Sequence, residues 1–125
     1  MTTDDLLKRA QVLTSIEQVD TFIRDHPDAV LFKAGTCHRT DDALARLTDA
    51  LKARRVPPIG FVRVAESRAA SDHIARLTGI KHESPQVIVI QKGRAVFARD
   101  NWGITEQALA LALDANFGPG RDEVT

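Results

Sequence analysis

The sequence predicts a single α/β domain with a mixed central sheet and helices on both of its faces. Three observations carry that prediction. Short apolar runs of strand length alternate with amphipathic stretches of helical period; no repeat, linker or low-complexity segment interrupts them; and 125 residues make about one domain. A chain of this size can bury roughly two-thirds of its unfolded surface, so a core forms without metals or crosslinks. The predicted order is β-α-β-α-β-α-β-β-α over residues 1–117, with 118–125 as a flexible tail.

A short strand is placed at Gln11–Leu13. Ser15, with Gln18 three residues on, has the spacing of a capping box, and Ile16, Val19, Phe22 and Ile23 recur at helical spacing before Pro27. Ala29–Lys33 is a compact apolar run stopped by Gly35, which reads as a buried strand. Thr40–Arg55 is helical, with Leu44, Leu47 and Leu51 as its stripe. Its acidic start and basic end complement the helix dipole, and Pro57-Pro58 closes it. Ile59–Val64 is the next strand. Ser67 can cap a helix whose Ala70, Ile74 and Leu77 share a face and which ends at Gly79. Pro85 precedes Val87–Ile90, the most strand-like stretch of the chain. Lys92-Gly93 then turns it into Ala95–Ala98, giving the sheet an antiparallel edge. Thr105 caps a last helix that runs to Phe117 ahead of Gly118-Pro119-Gly120.

The charge balance narrows the function. Seventeen Lys+Arg offset seventeen Asp+Glu, which argues against nucleic-acid or electrostatic membrane partners, since both favour a cationic excess. No apolar leader and no run of about 20 apolar residues is present, so a soluble cytoplasmic protein is expected. The histidines at 26, 38, 73 and 82 have no metal-ligand spacing, and no bound metal or tightly held cofactor is expected. Trp102 and Phe97 are assigned to the core, and Arg54-Arg55 to the solvated end of a helix.

Cys37 is the only cysteine. It cannot form an internal disulfide, so any sulfur partner comes from another molecule. It falls between a buried strand and a long helix, where open α/β sheets gather their ligand sites. A helix starting beside it would aim free N–H groups at the sulfur and favour the thiolate, with Lys33, His38 and Arg39 adding positive charge. That matters because an ordinary thiol is only about 3% ionised at pH 7, and the thiolate is the attacking species. Cys37-His38-Arg39-Thr40 has Cys-x-x-Cys spacing with a hydroxyl in place of the second thiol. Pro85 has two readings: a plain strand-start proline, or a cis Ser84–Pro85 bond that lays backbone beside the cysteine. X–Pro bonds are cis in only about 5–6% of cases.

Together these features resemble the thioredoxin-like fold, and within it the monothiol bacilliredoxin family. The resemblance rests on Leu31-Phe32-Lys33 leading into Thr36-Cys37, and on His82-Glu83-Ser84-Pro85-Gln86 running into Val87–Ile90. The Lys92–Val96 hairpin and Trp102-Gly103-Ile104-Thr105 extend it. It implies an oxidoreductase that removes bacillithiol from mixed disulfides on S-bacillithiolated proteins, with bacillithiol as low-molecular-weight thiol co-substrate. Cys37 would be the catalytic nucleophile, and Lys33, Thr36, His38, Ser84 and Pro85 the substrate-binding residues. The family's Thr-Cys-Pro-Ile-Ser stands here as Thr36-Cys37-His38-Arg39-Thr40, and its Ser-His before the tryptophan as Asp100-Asn101. Two other readings stay open: a non-enzymatic thioredoxin-like binding or stress-response domain, and a monothiol glutaredoxin-like protein that uses another small thiol.

Overall fold

The computed structural model describes residues 1–118; most of the predicted tail lies outside them. The element order is α1 (Thr3–Arg9), β1 (Gln11–Val12), α2 (Ile16–Asp25), β2 (Ala29–Ala34), α3 (His38–Leu51), β3 (Ile59–Arg63), α4 (Arg68–Thr78), β4 (Gln86–Gln91), β5 (Arg94–Asp100) and α5 (Glu106–Phe117), with a 3-10 turn at Asn101–Gly103. The five strands form one sheet in the order β1-β3-β2-β4-β5. β1, β3 and β2 are parallel, whereas β4 runs antiparallel to β2 and β5 antiparallel to β4. This is the predicted mixed sheet with its antiparallel edge.

Strand alternation divides the core into two layers. Val30, Phe32 and Ala34 of β2, with Val87 and Val89 of β4, pack against Leu44, Leu47 and Leu51 of α3, Leu109 and Leu113 of α5, and Leu6 of α1. Ala29, Leu31, Ile88 and Ile90 face the other way, against Val19 and Phe22 of α2 and Ala70 and Ile74 of α4. β2 is buried along its whole length, as a strand covered on both faces must be. Its carboxyl end therefore delivers the chain to the start of α3 from a fixed position.

The local signals are realised with some differences. Ser15 accepts the Gln18 N–H at 3.1 Å, but the Gln18 amide oxygen accepts from the Thr14 N–H at 2.7 Å instead of returning to Ser15. Lys92 and Gly93 both have positive φ, which sets the tight hairpin. Helix α1 is absent from the predicted order. Thr2 and Asp5 cap it reciprocally, at 3.1 and 2.9 Å, yet it spans only seven residues and buries only Leu6 completely, too little periodicity to mark it in sequence. Helix α3 starts two residues earlier than predicted and stops at Leu51. There the chain tightens through Lys52 N–H to Asp49 C=O, and Arg54 reaches back to the Ala50 carbonyl at 2.7 Å. Arg54 is thus no free solvated end: it also grips Asp114 of α5 through Nε and Nη2, at 2.7 and 2.8 Å. The described residues contain no helix long and apolar enough to cross a membrane.

Candidate active site

Cys37 is the N-cap of α3, in extended backbone conformation, and is exposed. Its side chain makes no capping hydrogen bond. By contrast, Thr2, Ser15 and Thr105 each accept a first-turn N–H at the starts of α1, α2 and α5. The Thr40 N–H is taken by the Cys37 carbonyl at 3.0 Å. The remaining N–H groups at the head of the helix, those of His38 and Arg39, have no backbone acceptor, as helix geometry dictates. They and the positive end of the helix dipole favour negative charge at this point.

The loop before the cysteine is held from beneath. Thr40, buried in the first turn, accepts the Gly35 N–H through Oγ1 at 3.0 Å. Gly35 in turn lies flat against Ser84: a Cβ built at Gly35 would come 3.1 Å from Ser84 Oγ and 3.4 Å from Thr40 Oγ1. The Ser84–Pro85 peptide bond is cis and Pro85 is buried, which selects the second of the two readings of this proline. On the far side of Cys37, the Pro85 carbonyl accepts the Asn101 N–H at 3.0 Å, and Asn101 Oδ1 accepts from Arg39 Nε at 3.0 Å. The cysteine segment is therefore tied to Pro85 after the thiol, through Arg39 and Asn101, and lies close to Ser84 before it, at Gly35.

Thr36, Cys37 and His38 line one hollow of about 370 Å³ together with Gly35, Thr40 and Asp41. Of the expected site residues, then, Thr36 and His38 share the hollow with Cys37, while Ser84 lies beside Gly35 and Pro85 follows it. Lys33 does not. Alternation turns it to the α4 side of the sheet, away from the layer that α3 covers, and it is fully buried. Its Nζ has no hydrogen-bond partner, and neither has Oε1 of Gln86, its cross-strand neighbour on β4. Burial pushes the Lys33 ammonium down to about 8, against the opposing pull of Asp72. Burial also lowers His82, helped by the Lys33 charge, while His82 Nδ1 sits 3.2 Å from the buried Ser71 hydroxyl. Lys33 belongs to this polar pocket beneath the sheet, not to the thiol's surroundings.

Trp102, too, lies elsewhere than its type suggests. It is 70% exposed and not core, while Phe97 is partly buried against the α3 side. The Arg39 guanidinium lies 5.8 Å from the centre of the Trp102 ring. Sequence reading missed the Arg39–Asn101–Trp102 grouping because its members are some sixty positions apart in the chain and share no motif. Among the described residues no group of three His, Cys, Asp or Glu side chains could hold a metal ion.

The comparisons agree with this geometry. The family model of monothiol bacilliredoxin BrxC matches residues 11–109. A solved structure titled as a candidate oxidoreductase with a thioredoxin fold is 31% identical, with a TM-score of 0.76, over 85% of this chain and 95% of that one. Thioredoxin from Fasciola hepatica (15% identity, TM-score 0.66, 85% and 98% covered) has the same fold. So has mitochondrial thioredoxin 3 from Saccharomyces cerevisiae (18%, 0.66, 85% and 94%).

Proposed function

The chain belongs to the monothiol bacilliredoxin family, whose business is thiol redox chemistry, and from that premise we propose that it removes bacillithiol from mixed disulfides on proteins through Cys37. The observation that carries the reading is an exposed thiol at an uncapped helix start, with Arg39 two residues on held through Asn101 to the buried Pro85. A sulfur in that position is open to an incoming disulfide, as the nucleophile in disulfide exchange must be.

In the first step the Cys37 thiolate attacks the bacillithiol sulfur of the mixed disulfide. A Cys37–bacillithiol disulfide forms, the protein–bacillithiol bond breaks, and the target leaves as a thiolate that takes a proton from water. The Cys-x-x-Thr arrangement holds no second thiol, so a second thiol from solution, bacillithiol or a partner reductase, attacks the Cys37 adduct and frees it. No metal or bound cofactor enters either step. Thr36 and His38, on the walls of the hollow, are the side chains nearest in sequence to the exchanging sulfurs and contact the incoming adduct.

The test is to mix purified protein with an S-bacillithiolated target and follow both masses. The target should lose one bacillithiol while the chain gains one at Cys37, and Cys37→Ser should transfer nothing. Transfer that persists in Cys37→Ser, or an unmodified wild-type chain, would overturn the reading.

A further inference from the structure

The Arg39 side chain is held in a way that its exposure does not require. Its Nε donates to Asn101 Oδ1 at 3.0 Å, and Asn101 is anchored in turn by its N–H to the Pro85 carbonyl. Its guanidinium lies over the exposed ring of Trp102. The two terminal nitrogens, Nη1 and Nη2, make no hydrogen bond or ion pair among the described residues. Asp41 lies in the thiol's hollow, and Asp100 accepts from Asn101 Nδ2 at 3.3 Å, yet neither carboxylate pairs with Arg39. The result is a guanidinium fixed at one edge with its terminal edge open, two residues from the thiol. Arg39 and Asn101 meet across sixty-two residues.

We propose that Arg39 is a specificity-determining residue that receives a carboxylate of the small thiol in the mixed disulfide, with Asn101 and Trp102 positioning it. A planar guanidinium held by its Nε binds a carboxylate through two parallel N–H···O bonds, and having one edge already fixed lowers the ordering cost. The small thiol is the occupant because, on the function proposed above, its sulfur is the one that becomes bonded to Cys37. Its carboxylates are tethered to Cys37 in every turnover, at the far end of the same small molecule, while the surfaces of the released targets vary. Bacillithiol carries carboxylates on its malate end; cysteamine carries none.

The experiment measures de-thiolation of one carrier protein bearing either bacillithiol or cysteamine. Arg39→Gln should lower kcat/KM for the bacillithiol adduct roughly tenfold, mainly through KM, and change the cysteamine adduct less than twofold. Arg39→Lys should recover part of the loss, since it restores charge without the fork, and Asn101→Ala should show the same selectivity at smaller size. An equal loss on both adducts would mean that Arg39 acts only through the thiol's electrostatics, and no loss on either would mean that it does nothing; each overturns the inference alone. A wild-type protein inactive on both adducts overturns the proposed function, and the inference with it.

Discussion

Where α3 finishes, Arg54 grips both carboxylate oxygens of Asp114 and the Ala50 carbonyl. Nearby, Gln91 donates to the Asn116 carbonyl at 2.7 Å, and the Lys92 and Gly93 N–H groups find Asp28 and the Pro27 carbonyl. Where α3 starts, the thiol caps nothing, Trp102 stands in solvent, and Arg39 keeps its terminal nitrogens open. The same helix spans both ends, so the difference does not come from the scaffold. It shows where the molecule gives up stability: polar groups are matched to one another at the closed end, and at the open end they are left for something that arrives.

That contrast can be broken in four places. The largest effect belongs to Cys37→Ser, which should remove de-thiolation altogether while leaving thermal stability almost unchanged, because an exposed side chain with no capping bond supports little structure. A marked fall in melting temperature would assign the thiol to the fold instead.

Lys33→Met comes next and should stabilise the protein. With its folded value near 8 against an ordinary 10.5, Lys33 costs about 3 kcal/mol while it stays charged. Below pH 8 both folded and unfolded chains hold the proton, so the cost is fully present. Between 8 and 10.5 the unfolded chain holds more protons, so wild-type stability rises with pH and the advantage of the variant shrinks. Denaturant titrations at pH 7 and pH 10 measure this, and equal differences at both would show that the ammonium is not buried.

Gly35→Ala follows. Its Cβ would come within 3.1 Å of Ser84 Oγ, so that either Ser84 or the cysteine loop must give by a few tenths of an ångström. We expect roughly a tenfold loss in kcat/KM, since small displacements of a reacting group are costly, with little change in the unfolding midpoint. Unchanged kinetics would mean that the loop tolerates the shift. The smallest effect is that of Asp114→Asn at the closed end. Arg54 holds the Asp114 carboxyl below its ordinary 3.8, so the pair stabilises the fold above that pH and the contribution fades as pH falls below it. The variant should melt slightly lower than wild type at pH 7, converge on it in acid, and de-thiolate normally. Altered de-thiolation would couple the two ends through α3.

Most of the frame was legible in the sequence because it is local. Runs such as Val87–Ile90 and stripes such as Leu44, Leu47 and Leu51 announce their own burial, and Ser15, Gly79, Lys92-Gly93 and Thr105 punctuate them. Cys37 could be found because its position between strand and helix is itself a local fact. What stayed hidden depends on which way side chains turn and what they meet. Lys33 stands four residues before Cys37, yet strand alternation carries it to the other face. Arg54 looked like a frayed helix end because its partner Asp114 lies sixty residues on. Trp102 looked like core because aromatic residues commonly are, but the 3-10 turn after β5 lifts it clear of the sheet.

The Thr40 hydroxyl has one more consequence. It stands where an intramolecular resolving sulfur would have to be, and it is buried and committed to the Gly35 amide. On the function proposed above, a loaded molecule has no exit of its own and waits for a visitor. At any moment the share of the population carrying cargo is then set by how fast damage arrives against how much free thiol is left to clear it. On the proposed function, the loaded share would then follow the reducing reserve around the protein.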